Sequence, residues 1–312
     1  MSIKKKLCLF LAFVCTAVLA VGALTLTAKA QTYSGTCGDN LTWTLDTGTG
    51  TLTISGEGEM KYATTNSPWY GYRSSIKNVE LPDKLTSIGN NAFYNCNNLT
   101  SITLPNSVTS IGAGVFRNCS SLISITIPDG VTSIGDSAFG GCSSLTSITI
   151  PEGVTNIRSD TFSSCTSLTS ITLPNSVKSI GWYAFQNCSS LTSITLPDNV
   201  TSIGFMAFAF CDNLTSVNIP KGITSIEGGA FSYCSSLTSI TIPEGVTSIG
   251  KDAFNECNSL EYIDVDINNS QYSSLDGILF SKTKDLLIKY PPSNGFFSYI
   301  IPNEVKSIGS SA

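Results

Sequence analysis

The sequence has 312 residues, eleven of them cysteine and none of them histidine, so thiol chemistry is the first possibility to weigh. Thiols can attack as nucleophiles, ligate metals or pair as disulfides. Eight of the eleven, Cys96, Cys119, Cys142, Cys165, Cys188, Cys211, Cys234 and Cys257, recur at intervals of 23 residues without slippage. A thiol nucleophile needs an activating base. The lack of histidine removes the commonest base, along with His-based triads and most zinc hydrolase sites. No C-x-x-C pair offers a metal site. Many cysteines in an exported chain usually mean disulfides, but equivalent positions in a strict repeat all point the same way. A vertical pair would have to twist two regular coils toward each other. Residues 31–312 add only Cys37 to the eight, leaving an odd total of nine. The pattern predicts buried, reduced thiols that act as small apolar groups, their weak donors reaching neighbouring backbone. Among the acids, Glu57 and Glu59 alternate in a glycine-rich stretch and are expected to be exposed without a pocket. Asp264, Asp266 and Asp276 resemble parts of a calcium loop, but the D-x-[DN]-x-[DN]-G spacing is absent and they read as solvated acids. No catalytic, metal or cofactor site is expected, and the chain is not read as an enzyme.

What the cysteines do mark is register. Each sits in a repeated phrase, roughly L-x-x-I-x-I/L-P-x-x-V-x-x-I-x-x-x-A-F-x-x-C-x-x, for example Leu99 to Ser121. A fixed period of this length predicts a solenoid whose coils pack only against their neighbours. Two short extended stretches per coil are implied, L-T-S-I-T-L and V-T-S-I-G. The first is ended by Pro105, Pro128, Pro151, Pro174, Pro197, Pro220 and Pro243, which lack the amide a ladder needs. Stacking makes parallel sheets at about 4.8 Å per coil. Phe93, Phe116, Phe139, Phe162, Phe185, Phe208, Phe231 and Phe254 form an equally regular column and are expected to be a buried spine.

The surface follows from the same alignment. Thr103, Thr126, Thr149, Thr172, Thr195, Asn218 and Thr241 should face water, as should Thr100, Ile123, Thr146, Thr169, Thr192, Thr215 and Thr238. Threonine suits a wet sheet face, being β-branched and hydroxylated. These positions are either plain solvated sheet or an open face for a protein or glycan. Ile123 breaks its column with an apolar group. Trp182 and Tyr183 in one coil, and Phe205, Met206, Phe208 and Phe210 in the next, crowd two adjacent turns and are read as a recognition patch or as packing irregularities. The candidate ligand surface is Thr103, Ile123, Thr126, Thr149, Trp182, Tyr183, Phe205 and Met206.

Outside the eight coils, assigned to residues 76–259, the chain changes character. Residues 1–30 read as a secretory signal peptide: Lys4 to Lys6, an uncharged apolar run from Leu7 to Leu26, and Ala28-Lys29-Ala30 as cleavage site. Residues 31–75 read as an N-terminal β cap, with strands near Thr42–Leu45 and Thr49–Ile54 and a turn at Asp46–Gly50. An aromatic loop follows. Trp69 and Tyr70 either cover the first coil or, with Tyr72, form a glycan-stacking patch. Residues 260–312 read as an irregular repeat interrupted by a β-hairpin, with Tyr272–Phe280 against Leu286–Ile288 and Ser281–Asp285 as its turn. The repeat resumes at Ile301 and stops where a phenylalanine is due, so a longer product is expected.

Charge bounds the partners. Without residues 1–30, which hold four lysines and no acids, 13 Lys+Arg stand against 22 Asp+Glu, a formal charge of −9. That excludes nucleic acid and anionic membrane surfaces, which need clustered cations. Residues 31–312 hold no second apolar run, and after signal cleavage no membrane insertion is expected. The mature chain is read as monomeric, and as secreted or at the cell surface.

The repeat resembles a leucine-rich repeat, specifically the 23-residue type of Treponema pallidum and BspA-like bacterial surface proteins. CSSLTSITIPEGVTSIGKDAF (234–254) carries the likeness, and GTCGDNLTWTLDTGTGTLTISG and LDGILFSKTKDLLIKYPP look like segments that accompany such repeats. The resemblance implies a β-rich, right-handed leucine-rich repeat solenoid. It also implies adhesion to host, matrix or cell-surface proteins or glycans, and no catalytic residue. A passive spacer or surface-coat region is the other reading.

Overall fold

The computed structural model describes residues 30–62 and 66–312. The signal-peptide reading falls on residues outside them, apart from Ala30. Residues 32–312 form one compact unit. Among the described residues there is no α-helix, only a single 3-10 turn at Tyr70–Ser75.

Each regular coil carries two short strands. The first strands are Ser101–Thr103, Ser124–Thr126, Ser147–Thr149 and their equivalents, alternating exposed, buried, exposed in these three. The second are Ser-Ile pairs such as Ser110–Ile111 and Ser179–Ile180. Both stack in parallel at an offset of one repeat, Ile102 on Ile125 and Ile180 on Ile203. The second-strand sheet runs through five coils from Asn156–Ile157 to Ser248–Ile249. First strands pair two coils at a time, so this sheet is a row of two-stranded patches.

A third side, which the sequence pattern did not announce, carries the most regular ladder. The Phe116 N–H donates to Ala138 O at 2.8 Å, Phe162 to Ala184 at 2.8 Å and Phe208 to Ala230 at 2.8 Å. On either side of each phenylalanine sits a residue with positive φ, such as Asn91 (55°) and Asn95 (59°), or Asp160 (56°) and Ser164 (60°). Their N–H groups also donate to the following coil, Asn91 to Ala113 O at 2.8 Å and Asn95 to Arg117 O at 2.9 Å. The left-handed conformation turns these amides along the solenoid axis. It also explains why small polar residues and glycine recur there, since they enter that region most readily.

Between these sides lies a continuous core. The phenylalanine rings stack at 5.2–6.0 Å between centroids from Phe93 to Phe254, and those from Phe93 to Phe231 are fully buried. All nine cysteines of the described residues are free and buried. The expected thiol role holds in detail: Cys119 Sγ donates to Phe93 O at 3.0 Å, Cys165 to Phe139 O at 3.2 Å and Cys257 to Phe231 O at 3.1 Å.

The N-terminal region is a meander of β1 (Thr32–Gly38), β2 (Leu41–Asp46) and β3 (Thr51–Gly56), followed by β4 (Gly58–Glu59). The hairpin is as read, but strand β1 is an addition to it. Then β5 (Asn78–Glu80) stacks in parallel on β3, and β6 (Leu85–Ile88) on β4. Residues 51–59 thus present both sheet edges to the first coil. Trp69 is fully buried, stacks 6.2 Å from Phe93 and donates its Nε1 to Ala92 O at 2.7 Å. It heads the aromatic spine, which removes it from the glycan-stacking alternative.

At the far end Ile278–Ser281 pairs antiparallel with Leu286–Lys289 across the expected turn, but the first arm of the hairpin needs correction. Tyr272–Phe280 is not one strand. Asp276 (φ 53°) and Gly277 (φ 76°) form a two-residue turn between Tyr272–Leu275 and Ile278–Ser281, and Leu286–Lys289 adds a third strand. Aspartate followed by glycine, both at positive φ, is the primed turn that favours such hairpins. Asn269 occupies a core position filled by valine in the coils. Its Nδ2 donates to Pro243 O (2.7 Å) and Val246 O (2.9 Å), and its Oδ1 accepts from the Gln271 (2.9 Å) and Tyr272 (2.8 Å) amides.

Candidate functional site

The eight candidate surface residues fall on two separate regions. Thr103, Thr126 and Thr149 are exposed on the first strands, and Ile123, 54% exposed, immediately precedes one of them. Neighbouring threonine hydroxyls are engaged internally: Thr169 Oγ1 donates to Thr146 O at 3.1 Å and Thr215 Oγ1 to Thr192 O at 3.1 Å, each reaching the preceding coil. Those threonines supply inter-coil hydrogen bonds, so their regularity has a structural cause.

Trp182, Tyr183, Phe205 and Met206 lie elsewhere, just past the second strands. After Ile88, Ile111, Ile134, Ile180, Ile203 and Ile249 the chain places a glycine. A Cβ on Gly112 would stand 2.5 Å from Asn90 Oδ1, and one on Gly204 2.7 Å from the Gly181 carbonyl carbon. Coils approach closely at these glycines, and the glycine row lies at the base of a trench along the solenoid. The serine column, including Ser110, Ser179 and Ser202, borders it on one side. On the other stands the residue after glycine, namely Asn90, Ala113, Asp136, Ser159, Trp182 and Phe205 in successive coils.

In two coils Arg158 and Glu227 replace the glycine, and both are exposed. They divide the trench. The stretch from Met60 and Tyr62 to Asp136 and Arg158 encloses about 730 Å³. The stretch formed by Ser159, Gly181, Trp182, Ser202, Gly204 and Glu227 encloses about 610 Å³. Arg158 also marks a break in the sheet, because Asn156–Ile157 does not pair with Ser133–Ile134.

Trp182 is 61% exposed and Phe205 36%. The Trp182 ring edge lies where a Gly204 side chain would be, Phe205 lies against Gly228, and Met206 against Gly229. Each bulky group therefore meets a glycine in the following coil. Tyr183 and Met206 are half-buried, with φ of 57° and 51°. Tyr183 meets Phe205 edge-on at 5.5 Å. Phe210 and Tyr233, also at positive φ, stack at 4.5 Å and stay partly exposed. Arg158, Glu227 and the glycine floor escaped the sequence reading. Their signal was present as the two departures from glycine after isoleucine.

The titratable groups give no reactive centre. Burial pushes the thiols of Cys165, Cys211 and Cys257 up to about 12, far from the thiolate needed for attack or ligation. Burial also lowers Lys289, whose Nζ donates to Ser311 O at 2.8 Å. Glu57 is paired with Lys84 at 3.0 Å, both exposed. Among the described residues no group of acids, cysteines or histidines could hold a metal ion. No described helix is long and apolar enough to cross a membrane.

Stacked coils with parallel ladders, a leucine, isoleucine and phenylalanine core and a buried cysteine ladder define a leucine-rich repeat β-solenoid. The profile of the BspA type leucine rich repeat region matches residues 66–181 and 155–286, in six copies. The chain belongs to that family. Among solved structures, a leucine rich cell surface protein from Faecalibacterium prausnitzii A2-165 is 28% identical, with 89% of this chain and 85% of that one covered and a TM-score of 0.53. The T. pallidum leucine rich repeat protein is also 28% identical, with 70% and 86% covered and a TM-score of 0.46. A leucine-rich repeat protein from Eubacterium ventriosum ATCC 27560 is 26% identical, with a TM-score of 0.35; 89% of this chain aligns, and it spans 56% of that protein's length. No curated protein matches the chain.

Proposed function

We propose that the chain is a secreted or cell-surface binding module, non-catalytic, that recognises protein or glycan ligands through its coil surface. One observation carries this reading. Trp182, Tyr183, Phe205 and Met206 crowd two consecutive coils at positions that elsewhere hold mostly small or polar residues. Tyr183 and Met206 occupy the left-handed position that every coil provides, where other coils hold asparagine, aspartate, serine or glycine. A cluster of exposed apolar groups in place of such residues is expected where a surface has a task. The lysine-led apolar run and Ala28-Lys29-Ala30 support export, and a relative described as a cell surface protein supports the location. The missing histidine and the high thiol pKa values support a non-catalytic role.

The uniform first-strand face favours the spacer reading for that face, because neighbouring hydroxyls there already serve the coil stack. The test is binding of residues 31–312 to immobilised matrix proteins and glycans. Saturable binding that weakens on Trp182→Ala is expected. A chain that is folded yet binds nothing saturably sinks the binding reading and leaves the spacer.

A further inference from the structure

We infer that the trench segment between Arg158 and Glu227 is a binding subsite for a neutral oligosaccharide chain, with Trp182 as its stacking platform; this deepens the binding role proposed above and rests on it. Three features point to that chemistry. First, the indole packs across buried Gly204 yet stays 61% exposed beside half-buried Gly181, so a ligand ring can lie flat against it. An indole face is electron-rich and accepts the C–H face of a sugar ring.

Second, the remaining lining is hydroxyl and carboxylate. Ser159 and Ser202 line the segment, and Glu227 closes one end, its Oε1 accepting from Ser225 Oγ at 2.6 Å. That leaves the second carboxylate oxygen to accept from a ligand hydroxyl, and vicinal sugar hydroxyls suit such acceptors. Third, the charge balance disfavours a polyanion. Arg158 is the cation at one end, but Asp136 lines the adjoining stretch with it and Glu227 stands at the other. With a formal charge of −9 over residues 31–312, a polyanionic glycan would be repelled. A protein ligand fits less well, because the trench offers neither a deep apolar pocket for an anchoring side chain nor an unpaired strand edge along its length.

The pairing of bulky residues with glycines seats the platform: Trp182 packs over Gly204, and Phe205 and Met206 pack over Gly228 and Gly229.

The chain contains its own reporter. Of its three tryptophans, Trp43 and Trp69 are buried and Trp182 is exposed, so acrylamide quenching of the native fluorescence reads Trp182. Cellohexaose, maltohexaose, mannohexaose and chitohexaose are titrated into residues 31–312, with heparin as the polyanionic comparison. At least one neutral hexasaccharide is expected to protect Trp182 from acrylamide, and heparin to leave it unchanged. By calorimetry, Trp182→Ala should weaken that ligand by about tenfold or more, and Glu227→Gln should weaken it with an unchanged melting temperature. Protection by none of the four at millimolar concentration overturns the subsite. If the same preparation still binds an immobilised matrix protein, the binding role stands and only its glycan assignment falls. If it binds nothing, both fall. Protection that survives Glu227→Gln undiminished overturns the role given to that carboxylate.

Discussion

Replacing Phe162 with alanine tests the core at its most connected point. The ring is fully buried between Phe139, 5.5 Å away and 5° from parallel, and Phe185, 5.4 Å away at 13°. Its amide ladder bond to Ala184 O does not depend on the side chain. The loss is therefore one of buried area and ring contact. Phenylalanine truncations in cores cost about 3–5 kcal/mol, and loss of two stacked neighbours places this site in the upper half of that range. Phe254 is the contrast: it has one ring neighbour, Phe231 at 6.0 Å, and is 3% exposed. Its truncation should cost less by about 0.5–1.5 kcal/mol, the worth of one ring pair. In a solenoid, stability is a sum over coils and the interfaces between them. Phe162→Ala weakens both interfaces of a central coil, and guanidinium unfolding followed by circular dichroism should broaden or split. Phe254→Ala should only lower the onset. A Phe162→Ala transition that stays single and within about 1 kcal/mol of the parent would refute the spine as the main source of coil cohesion.

Thiol titration of residues 31–312 should find none reactive in the native state and nine after unfolding without reductant; fewer in the unfolded chain would mean disulfides. The same thiols set a pH limit. Because burial raises Cys165, Cys211 and Cys257 from 9.0 to about 12, their contribution to stability is complete below pH 9.0 and is lost as pH rises toward about 12. Unfolding free energies that do not fall between about pH 9 and about pH 11 would contradict this. Asn269→Leu removes the side-chain partners of Val246 O and of the Gln271 and Tyr272 amides, and a loss of at least about 2 kcal/mol is expected by denaturant unfolding. Gly204→Ala drives a Cβ into Gly181 and Trp182 backbone at 2.7 and 2.8 Å and should lower the melting temperature, whereas Gly130→Ala, with nothing closer than 3.6 Å, should be neutral or slightly stabilising.

Period and side-chain type made the coils legible. A residue that must be buried in every turn leaves a column, and the Phe, Cys and Pro columns fix register whatever the turns do. Features that do not repeat were harder. Trp69 heads the spine, yet it stands 24 residues before Phe93, so no alignment by 23 finds it. Strand β1 is rich in serine, threonine and glycine and has few strand formers of its own; it exists because β2 offers it an edge. The Asp276-Gly277 turn was hidden by apolar residues on both sides. The third ladder escaped because positive φ imposes no hydrophobic pattern, only a preference for asparagine, glycine and small polar residues. Of the candidate site, the bulky residues were visible by type. Their partners were not, because a glycine 22 or 23 residues later carries meaning only once coils are stacked.

The double stacking of residues 51–59 on the first coil has a consequence for how the chain comes into being. With β3 and β4 formed, every later coil finds a finished template one repeat behind it, and its cysteine reaches back 26 residues to a carbonyl already in place. Almost no interaction waits for a distant segment, so loop closure is cheap throughout. A chain emerging N-terminus first can wind up turn by turn as it appears, each new turn closing on the one just finished.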